Sequence, residues 1–345
     1  MKKLKYSWLE SPWLRWLGMN QRLPHALLIH GPEGVGKRAL AEHIAQGLLC
    51  ERSRESTHPC GECGACRWFD DGNHPDYRLT VPEALQATAE PDSEGVEEEE
   101  GGAKSRRAPS KEIRIDQIRA MDSFFNVGTH RGGHRVVLLY PADALNAASG
   151  NALLKTLEEP PAGCVFLLVT SRLDDVLPTI RSRCSKLLVG RPKHAQALAW
   201  LAAQGVVDGE SALADAGGAP LLALDASADP ASAFRSTLID ALTSGKPIDP
   251  IALAEKCEKG GAANIAHWLA RWVADMLLCS SGVVVRYHPR HADAITRISA
   301  HTDILALHAF YRRLMRARRV AEHPLNGRLF AEDLLIEYAR LSGPH

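Results

Sequence analysis

A short segment near the start of the chain, residues 31–37, constrains its fold more than any other feature of the sequence. The segment reads GPEGVGK and lies between an apolar run at residues 25–30 and a helical pattern over residues 37–50. A G-x-x-x-x-G-K sequence that follows a strand and opens a helix is typical of a phosphate-binding loop, because its backbone amides converge on phosphate oxygens at the helix N-terminus. The sequence therefore predicts an α/β domain whose first strand leads into this loop.

Apolar runs beyond the loop predict two more buried strands, each followed by a helix. In chain order, these strands and helices are predicted over residues 135–140, 147–159, 165–170 and 174–183. Short apolar strands that alternate with helices are typical of a parallel sheet covered by helices on both faces. Ahead of the loop, residues 6–17 contain three tryptophans and predict a short amphipathic helix that breaks near Pro12.

The composition excludes several classes of protein. The formal net charge is zero, so the chain has no overall attraction to nucleic acid, and any action on DNA is expected in company with partners. Eight cysteines in 345 residues do not predict a disulfide scaffold. The N-terminal residues lack the apolar run of a signal peptide. No apolar stretch approaches the ~20 residues of a membrane helix. We therefore expect a cytoplasmic protein with no membrane contact.

The residues expected to bind magnesium beside the loop are replaced. The motif requires Ser or Thr after its lysine, because that hydroxyl ligates magnesium, and this chain has Arg38. An active hydrolase of this type also places an acidic residue at the end of the second predicted strand, where this chain has Tyr140 and Pro141. Asp143 comes later, at the turn towards the next helix, and is not assigned to the metal. The sequence predicts a loop that does not support hydrolysis.

The motif alone leaves open what the loop still does. It is expected either to retain weak binding of ATP or ADP without hydrolysis, or only to shape the turn between strand and helix. The candidate nucleotide-binding residues are Gly31, Gly34, Gly36, Lys37 and Arg38.

Four cysteines in the segment that follows have the spacing of a metal site. They are Cys50, Cys60, Cys63 and Cys66. Cysteines two residues apart form tight turns that present thiolates to one tetrahedral ion, and four soft ligands favour a closed, structural zinc. The zinc module is predicted over about residues 50–75. Two alternatives stay open: His58 or His74 replaces one cysteine, or the four thiols are free on a loop.

The chain is expected to form three domains. They are the α/β domain over residues 1–189, a small helical domain over residues 190–232 and a helical bundle over residues 233–345. A segment at about residues 88–110 interrupts the first domain with an acidic block, glycines and a basic cluster. It has almost nothing to bury, so we predict that it is a disordered insertion. Contact of its basic end with DNA is the alternative.

Two further motifs carry a resemblance to a known family. Residues 151–161 read NALLKTLEEPP, and Ser182, Arg183 and Cys184 form the sequence Ser-Arg-Cys. Together with the phosphate-binding loop and the four-cysteine module, these motifs closely resemble the bacterial DNA polymerase III clamp-loader ATPases of the AAA+ class. The resemblance covers residues 23 to about 189 with specific motifs. The helical remainder, which would be the lid and the collar of that family, matches in length and character only.

The resemblance implies roles for particular residues. Some subunits of the family have lost the magnesium ligands but keep Ser-Arg-Cys, and Arg38 with Tyr140 and Pro141 puts this chain among them. In the family, the arginine of Ser-Arg-Cys reaches the gamma-phosphate held by a neighbouring subunit. Arg183 is therefore expected as an arginine finger in trans, with Ser182 beside it. Arg181 is the less favoured finger.

Two other positions match the family or depart from it. Thr170 matches the family's sensor position. Pro220 stands where active relatives usually carry a sensing arginine.

The function that the resemblance implies is that of a non-hydrolysing stator subunit in DNA replication. Its expected partners are gamma/tau-type ATPase subunits and a delta-type clamp-opening subunit, held together in a ring by the collar. Through the complex it would act on the sliding clamp and primed DNA. No catalysis of its own is expected, although the DNA polymerase III holoenzyme to which it would belong is a DNA-directed DNA polymerase, a nucleotidyltransferase.

Two rival interpretations differ in class. The first is an active gamma/tau-type ATPase, against which the absence of an acidic residue at the end of the second predicted strand argues. The second is a zinc-containing protein that binds DNA alone, against which the zero net charge argues.

Overall fold

The computed structural model describes residues 2–19, 23–52, 58–86, 109–126, 128–130, 133–244, 247–321 and 326–342. The chain divides into two compact units, Met1–Pro192 and Lys193–His345. Residues 90–107, which form most of the predicted disordered insertion, lie outside the described residues.

The first unit is built on a parallel sheet of five strands. The strands are β1 (Ala26–His30), β2 (Tyr77–Thr80), β3 (Arg135–Leu139), β4 (Cys164–Thr170) and β5 (Ser185–Leu188). They lie in the order β2-β3-β4-β1-β5, and every neighbouring pair is parallel. The three predicted strands are confirmed as β1, β3 and β4. The two edge strands were not predicted, because each has only four residues and mixes polar with apolar side chains.

Helices cover both faces of this sheet, as predicted. They are α1 (Glu10–Met19), α2 (Lys37–Leu49), α3 (Gly64–Asp70), α4 (Glu83–Gln86), α5 (Ile115–Asn126), α6 (Ala147–Glu158) and α7 (Pro178–Arg181). Leu28 and Phe166 share one buried cluster with residues of α5, α6 and α7. The strand residues that alternate with them, such as Ile29 and Val169, are equally buried, and α2 is in contact with β3 and β4. The α/β fold class is confirmed.

Two helix predictions were wrong, both beside prolines. Helix α1 runs through Pro12 without a break, because a proline in the first turn removes an N–H that has no partner within the helix. The helix predicted over residues 174–183 is instead a 3-10 turn, Leu173–Asp175, followed by the short helix α7. Pro178 opens α7 and disfavours helical backbone at the residue before it.

The second unit consists of helices among its described residues. They are α8 (His194–Ala203), α9 (Gly209–Asp215), α10 (Pro220–Ala228), α11 (Ser232–Thr243), α12 (Pro250–Cys257), α13 (Ala262–Ser280), α14 (Ala292–Ser299), α15 (Ile304–Val320) and α16 (Gly327–Ser342). One hydrophobic cluster includes Leu201 and Leu213, and a larger one surrounds Trp272 of α13. The helical C-terminal part is confirmed. Its division into residues 190–232 and 233–345 stays a prediction.

None of the helices in the described residues combines the length and the apolar character that crossing a membrane requires.

Candidate functional site

The loop at residues 31–37 leaves the carboxyl end of β1, and its shape requires glycine. Gly31 has a φ of 150°, and a Cβ there would lie 2.0 Å from the carbonyl oxygen of Val189. Gly36 has a left-handed φ of 86°, and a Cβ there would lie 2.7 Å from the ring of Tyr6. Gly34 is also left-handed, with a φ of 70°. The chain thus keeps the backbone of a phosphate-binding loop.

Lys37, the first residue of α2, is buried and held by the loop itself. Its Nζ donates to the carbonyl oxygen of Pro32 at 2.5 Å and to Oγ of Ser171 at 2.9 Å. Burial lowers the pKa of Lys37 to about 8, and the nearby charges of Glu33 and Asp143 oppose that shift. The cation therefore lies beside the loop, tied to the end of β4.

Arg38 and Tyr140, the two residues predicted from the sequence to replace magnesium ligands, contact each other. The Arg38 guanidinium lies 5.5 Å from the centre of the Tyr140 ring. Its Nε donates to Oε1 of Glu42 at 2.8 Å. Burial raises the pKa of the Tyr140 hydroxyl. These two positions offer a cation and a protonated phenol, neither of which suits a magnesium ion.

Asp143 forms a hydrogen bond with the last residue of β4. It lies in a 3-10 turn, Ala142–Ala144, and its Oδ1 accepts a hydrogen bond from Oγ1 of Thr170 at 2.6 Å. Thr170 Oγ1 also accepts from the backbone N–H of Arg172 at 2.9 Å. Thr170 therefore links the end of β4 to the turn that contains Asp143.

Arg183 lies just after α7, and its side chain is held from two elements. Its Nη1 donates to the carbonyl oxygen of Thr179 at 2.9 Å and approaches Oγ of Ser182 at 3.5 Å. Its Nη2 forms an ion pair with Oε1 of Glu158, the last residue of α6. The side chain remains 35% exposed. Among the described residues, no hydrogen bond or ion pair joins Arg183 to the phosphate-binding loop.

Arg181, the less favoured candidate for the arginine finger, is hydrogen-bonded to the 3-10 turn Leu173–Asp175. Its Nη1 donates to the carbonyl oxygen of Leu173 and to Oδ1 of Asp174, both at 3.2 Å.

Two residues that hold these side chains, Ser171 and Glu158, were not predicted from the sequence. Ser171 directly follows β4, and the carboxyl ends of parallel strands meet at one edge of a sheet, so its position beside the loop could have been anticipated. Glu158 lies inside the NALLKTLEEPP motif, but its pairing with Arg183 joins residues 25 positions apart and has no local signal.

The structure brings the four predicted metal ligands together. The Sγ atoms of Cys50, Cys60, Cys63 and Cys66 all lie within 4.8 Å of one another, and those of Cys60 and Cys66 are 3.9 Å apart. Four sulfurs bound to zinc at about 2.3 Å would be roughly 3.8 Å apart at the corners of a tetrahedron. The donor set and its spacing therefore fit a structural zinc.

Backbone amides surround these sulfurs. The N–H groups of Glu62 and Cys63 donate to Sγ of Cys60 at 3.4 and 3.3 Å, and the N–H of Cys66 donates to Sγ of Cys63 at 3.4 Å. Burial raises the pKa of the Cys50 and Cys66 thiols. Burial would also raise the pKa of Cys60, but the donated hydrogen bonds outweigh it and lower that pKa to about 6. Amides directed at sulfur stabilise thiolates, the form that binds metal.

The two histidines that could have replaced a cysteine have other contacts. His58 Nδ1 lies 3.0 Å from Nε2 of His43. His74 Nδ1 accepts from the backbone N–H of Asp76 at 3.0 Å. The metal-ligand group that the described residues form in this module consists of the four cysteines.

Comparison with known proteins gives two family matches. The family described as DNA polymerase III, delta subunit, matches residues 14–192. The family described as DNA polymerase III, delta subunit, C terminal, matches residues 231–340.

Curated relatives of this chain carry the name DNA polymerase III subunit delta'. The protein from Pseudomonas aeruginosa is 32% identical, with 98% of each chain covered. That from Yersinia pestis is 31% identical and covers 80% of this chain and 77% of its own. That from Escherichia coli is 28% identical, with 96% and 94% covered. Among solved structures, a DNA polymerase III gamma subunit-related protein from Thermotoga maritima covers 98% of this chain and 100% of its own, at 17% identity and a TM-score of 0.42.

Proposed function

This chain belongs to the family of delta-prime subunits of the DNA polymerase III clamp-loader complex, and we propose that it serves there as a stator that does not hydrolyse ATP. Its Arg183 would act in trans on ATP bound by a neighbouring gamma/tau-type subunit. With a delta-type subunit in the same cytoplasmic complex, that ATP cycle would open the sliding clamp and load it onto primed DNA during replication.

The state of the Arg183 guanidinium is the observation that carries this proposal. It is partly exposed, and contacts from Thr179 and Glu158 orient it. A planar guanidinium that is always charged suits a transition state whose negative charge is spread over phosphate oxygens. Arginine fingers in other phosphoryl-transfer systems contribute about 10³–10⁵ in rate.

The phosphate-binding loop of this chain supports the proposal that the chain does not hydrolyse ATP itself. Arg38 and Tyr140 occupy the two magnesium positions and contact each other. Without a metal ligand at either position, the loop can hold phosphate oxygens through its amides and Lys37 but cannot organise their transfer. We propose weak nucleotide binding by Gly31, Gly34, Gly36, Lys37 and Arg38, without turnover.

The four-cysteine centre has a structural part in this proposal. The cysteines would hold a zinc ion, which would cross-link the end of α2 to α3. Gln46 of α2 already donates to the carbonyl oxygen of Cys66 at 3.3 Å and to Oδ1 of Asp70 at 3.1 Å. The ion would fix the same two helices more firmly and would take no part in the chemistry.

Replacement of Arg183 by Ala in a reconstituted clamp loader tests the proposal. We expect Arg183→Ala to assemble normally but to lower DNA-stimulated ATP hydrolysis and clamp loading by at least about tenfold. Arg181→Ala is the matched control and should leave both rates within about twofold, because the Arg181 side chain is hydrogen-bonded to Leu173 and Asp174 of the preceding 3-10 turn.

Three results would contradict the proposal. Unchanged ATP hydrolysis with Arg183→Ala would show that Arg183 does not act on the neighbouring subunit's ATP. Robust ATP hydrolysis by the isolated chain would instead identify it as an active ATPase. If the isolated chain bound DNA tightly and with a steep dependence on salt, the binding-module alternative would apply.

A further inference from the structure

Arg183 has an acidic partner in its own chain, and that partner comes from a different element. The Oε1 atom of Glu158, at the C-terminal end of α6, accepts from Nη2 of Arg183. We propose that Glu158 is a positioning residue, which holds the Arg183 side chain ready for the neighbour's phosphate. This inference rests on the proposed role of Arg183.

The contacts of Arg183 define one orientation of its guanidinium. Thr179, in α7, accepts from Nη1 through its carbonyl oxygen at 2.9 Å, and Glu158 accepts from Nη2. Two acceptors on two separate elements fix both the direction and the rotation of a planar group, which one acceptor could not do. The remaining N–H donors of the guanidinium stay available for a phosphate.

Holding this side chain in advance has a kinetic consequence. A free arginine side chain samples many rotamers, and ordering it at the moment of reaction adds to the activation barrier. A guanidinium already oriented by Glu158 avoids that cost. Because 51% of the Glu158 side chain and 35% of the Arg183 side chain are exposed, water screens the pair, and it contributes little to stability. Loss of Glu158 should therefore change the orientation of Arg183 far more than the folding of the chain.

The adjacent residue offers a matched control. Glu159 is also an exposed glutamate of the same motif, but its side chain has no hydrogen bond or ion pair within the described residues. It caps the C-terminal end of α6 through its backbone N–H, which donates to the carbonyl oxygen of Lys155 and is unaffected by a change of side chain. Glu159→Gln changes the same charge one residue away without touching Arg183.

The test compares Glu158→Gln, Glu159→Gln and Arg183→Ala in a clamp loader reconstituted with its gamma/tau-type and delta-type subunits. The measured quantities are kcat and KM for ATP in DNA-stimulated hydrolysis. We expect Glu158→Gln to lower kcat by about 3- to 10-fold at unchanged KM, because the finger acts in the transition state. Glu159→Gln should match the unsubstituted complex. In a chain that already carries Arg183→Ala, Glu158→Gln should cause no further loss, whereas a merely structural role would still lower the rate.

Several outcomes would overturn the inference and leave the role of Arg183 intact. They are a kcat unchanged or raised by Glu158→Gln, an equal loss with Glu159→Gln, and an additional loss in the Arg183→Ala background. If Arg183→Ala itself had no effect on kcat, both the inference and the proposed function would fail. Thermal unfolding of the isolated Glu158→Gln chain verifies that it folds.

Discussion

The guanidinium of Arg38 lies 5.5 Å from the centre of the Tyr140 ring, so the two residues predicted to replace magnesium ligands are in contact with each other. One follows the phosphate-binding loop and the other follows β3, about a hundred positions later in the chain. A cation over an aromatic face is a stabilising contact, typically about 0.5–1 kcal/mol when partly exposed. The two positions predicted to lack magnesium ligands are therefore joined by a stabilising contact.

Because ligands are predicted to be missing at both positions, we expect that one substitution does not restore hydrolysis. Arg38→Ser returns a hydroxyl to the loop, but the carboxylate is still absent at position 140, so we expect ATP turnover by the isolated chain to stay at background. Tyr140→Asp alone should fail for the converse reason. Phosphate release assays with magnesium and primed DNA provide the measurement. Turnover by either single variant would show that one restored position is enough for hydrolysis and would contradict the requirement for both.

Burial of Lys37 predicts a pH-dependent stability. The pKa of Lys37 is about 8 in the folded chain, below the ~10.4 of an unfolded lysine, so between these values the unfolded state binds more protons. The free energy of unfolding should therefore rise with pH in this range, relative to Lys37→Met. We expect a relative gain on the order of 2 kcal/mol between pH 7.5 and 10.

Urea unfolding of both proteins across that range measures the effect. Lys186→Met, at an exposed position of β5, serves as the control and should give a curve parallel to that of the unsubstituted chain. If the Lys37→Met curve were parallel as well, the shifted pKa would be refuted.

The four-cysteine centre predicts one tightly bound zinc ion per chain. Cys60→Ser removes one of four ligands and should weaken zinc binding by more than about tenfold, since even the loss of outer partners of a metal ligand costs about 10–100-fold. Zinc content after dialysis against a chelator is the measurement. Cys279→Ser is the control, because Cys279 lies in α13 of the other unit, 3.6 Å from Oγ1 of Thr296. Equal zinc in both variants would contradict the assignment.

In the second unit, we expect substitution of Asp275 to cause a large loss of stability. Its buried carboxylate accepts the backbone N–H groups of Arg286, Tyr287 and His288, at distances of 2.7 to 3.1 Å, and Nδ1 of His288 lies 2.9 Å from it. Asp275→Ala leaves these amides without their acceptor and should lower the free energy of unfolding by about 3 kcal/mol or more. Asp225→Ala, at an exposed position of α10, should change it by less than about 0.5 kcal/mol. Similar urea midpoints for the two variants would contradict this role of Asp275.

Features that depend on neighbouring residues could be predicted from the chain. Apolar runs marked β1, β3 and β4 because a strand buried on both faces needs apolar side chains at every position. The spacing of the glycines and Lys37 predicted the loop, and the cysteine spacing predicted a common site. The same local reasoning failed at Pro12 and Pro178, where the position of a proline within the first turn decides whether a helix continues.

Contacts between segments that are distant in the sequence could not be predicted from the local sequence pattern. Three such contacts join residues that the order of the strands and helices brings together. They are the cation–aromatic contact of Arg38 with Tyr140, the hydrogen bond of Lys37 to Ser171 and the ion pair of Arg183 with Glu158. A sequence motif records which chemical groups are present, because those groups are properties of single residues. Which groups pair, and which remain available to a ligand, depends on distances across the folded chain. The hydrogen bond of Lys37 to Ser171 and the ion pair of Arg183 with Glu158 are therefore decided by the tertiary structure.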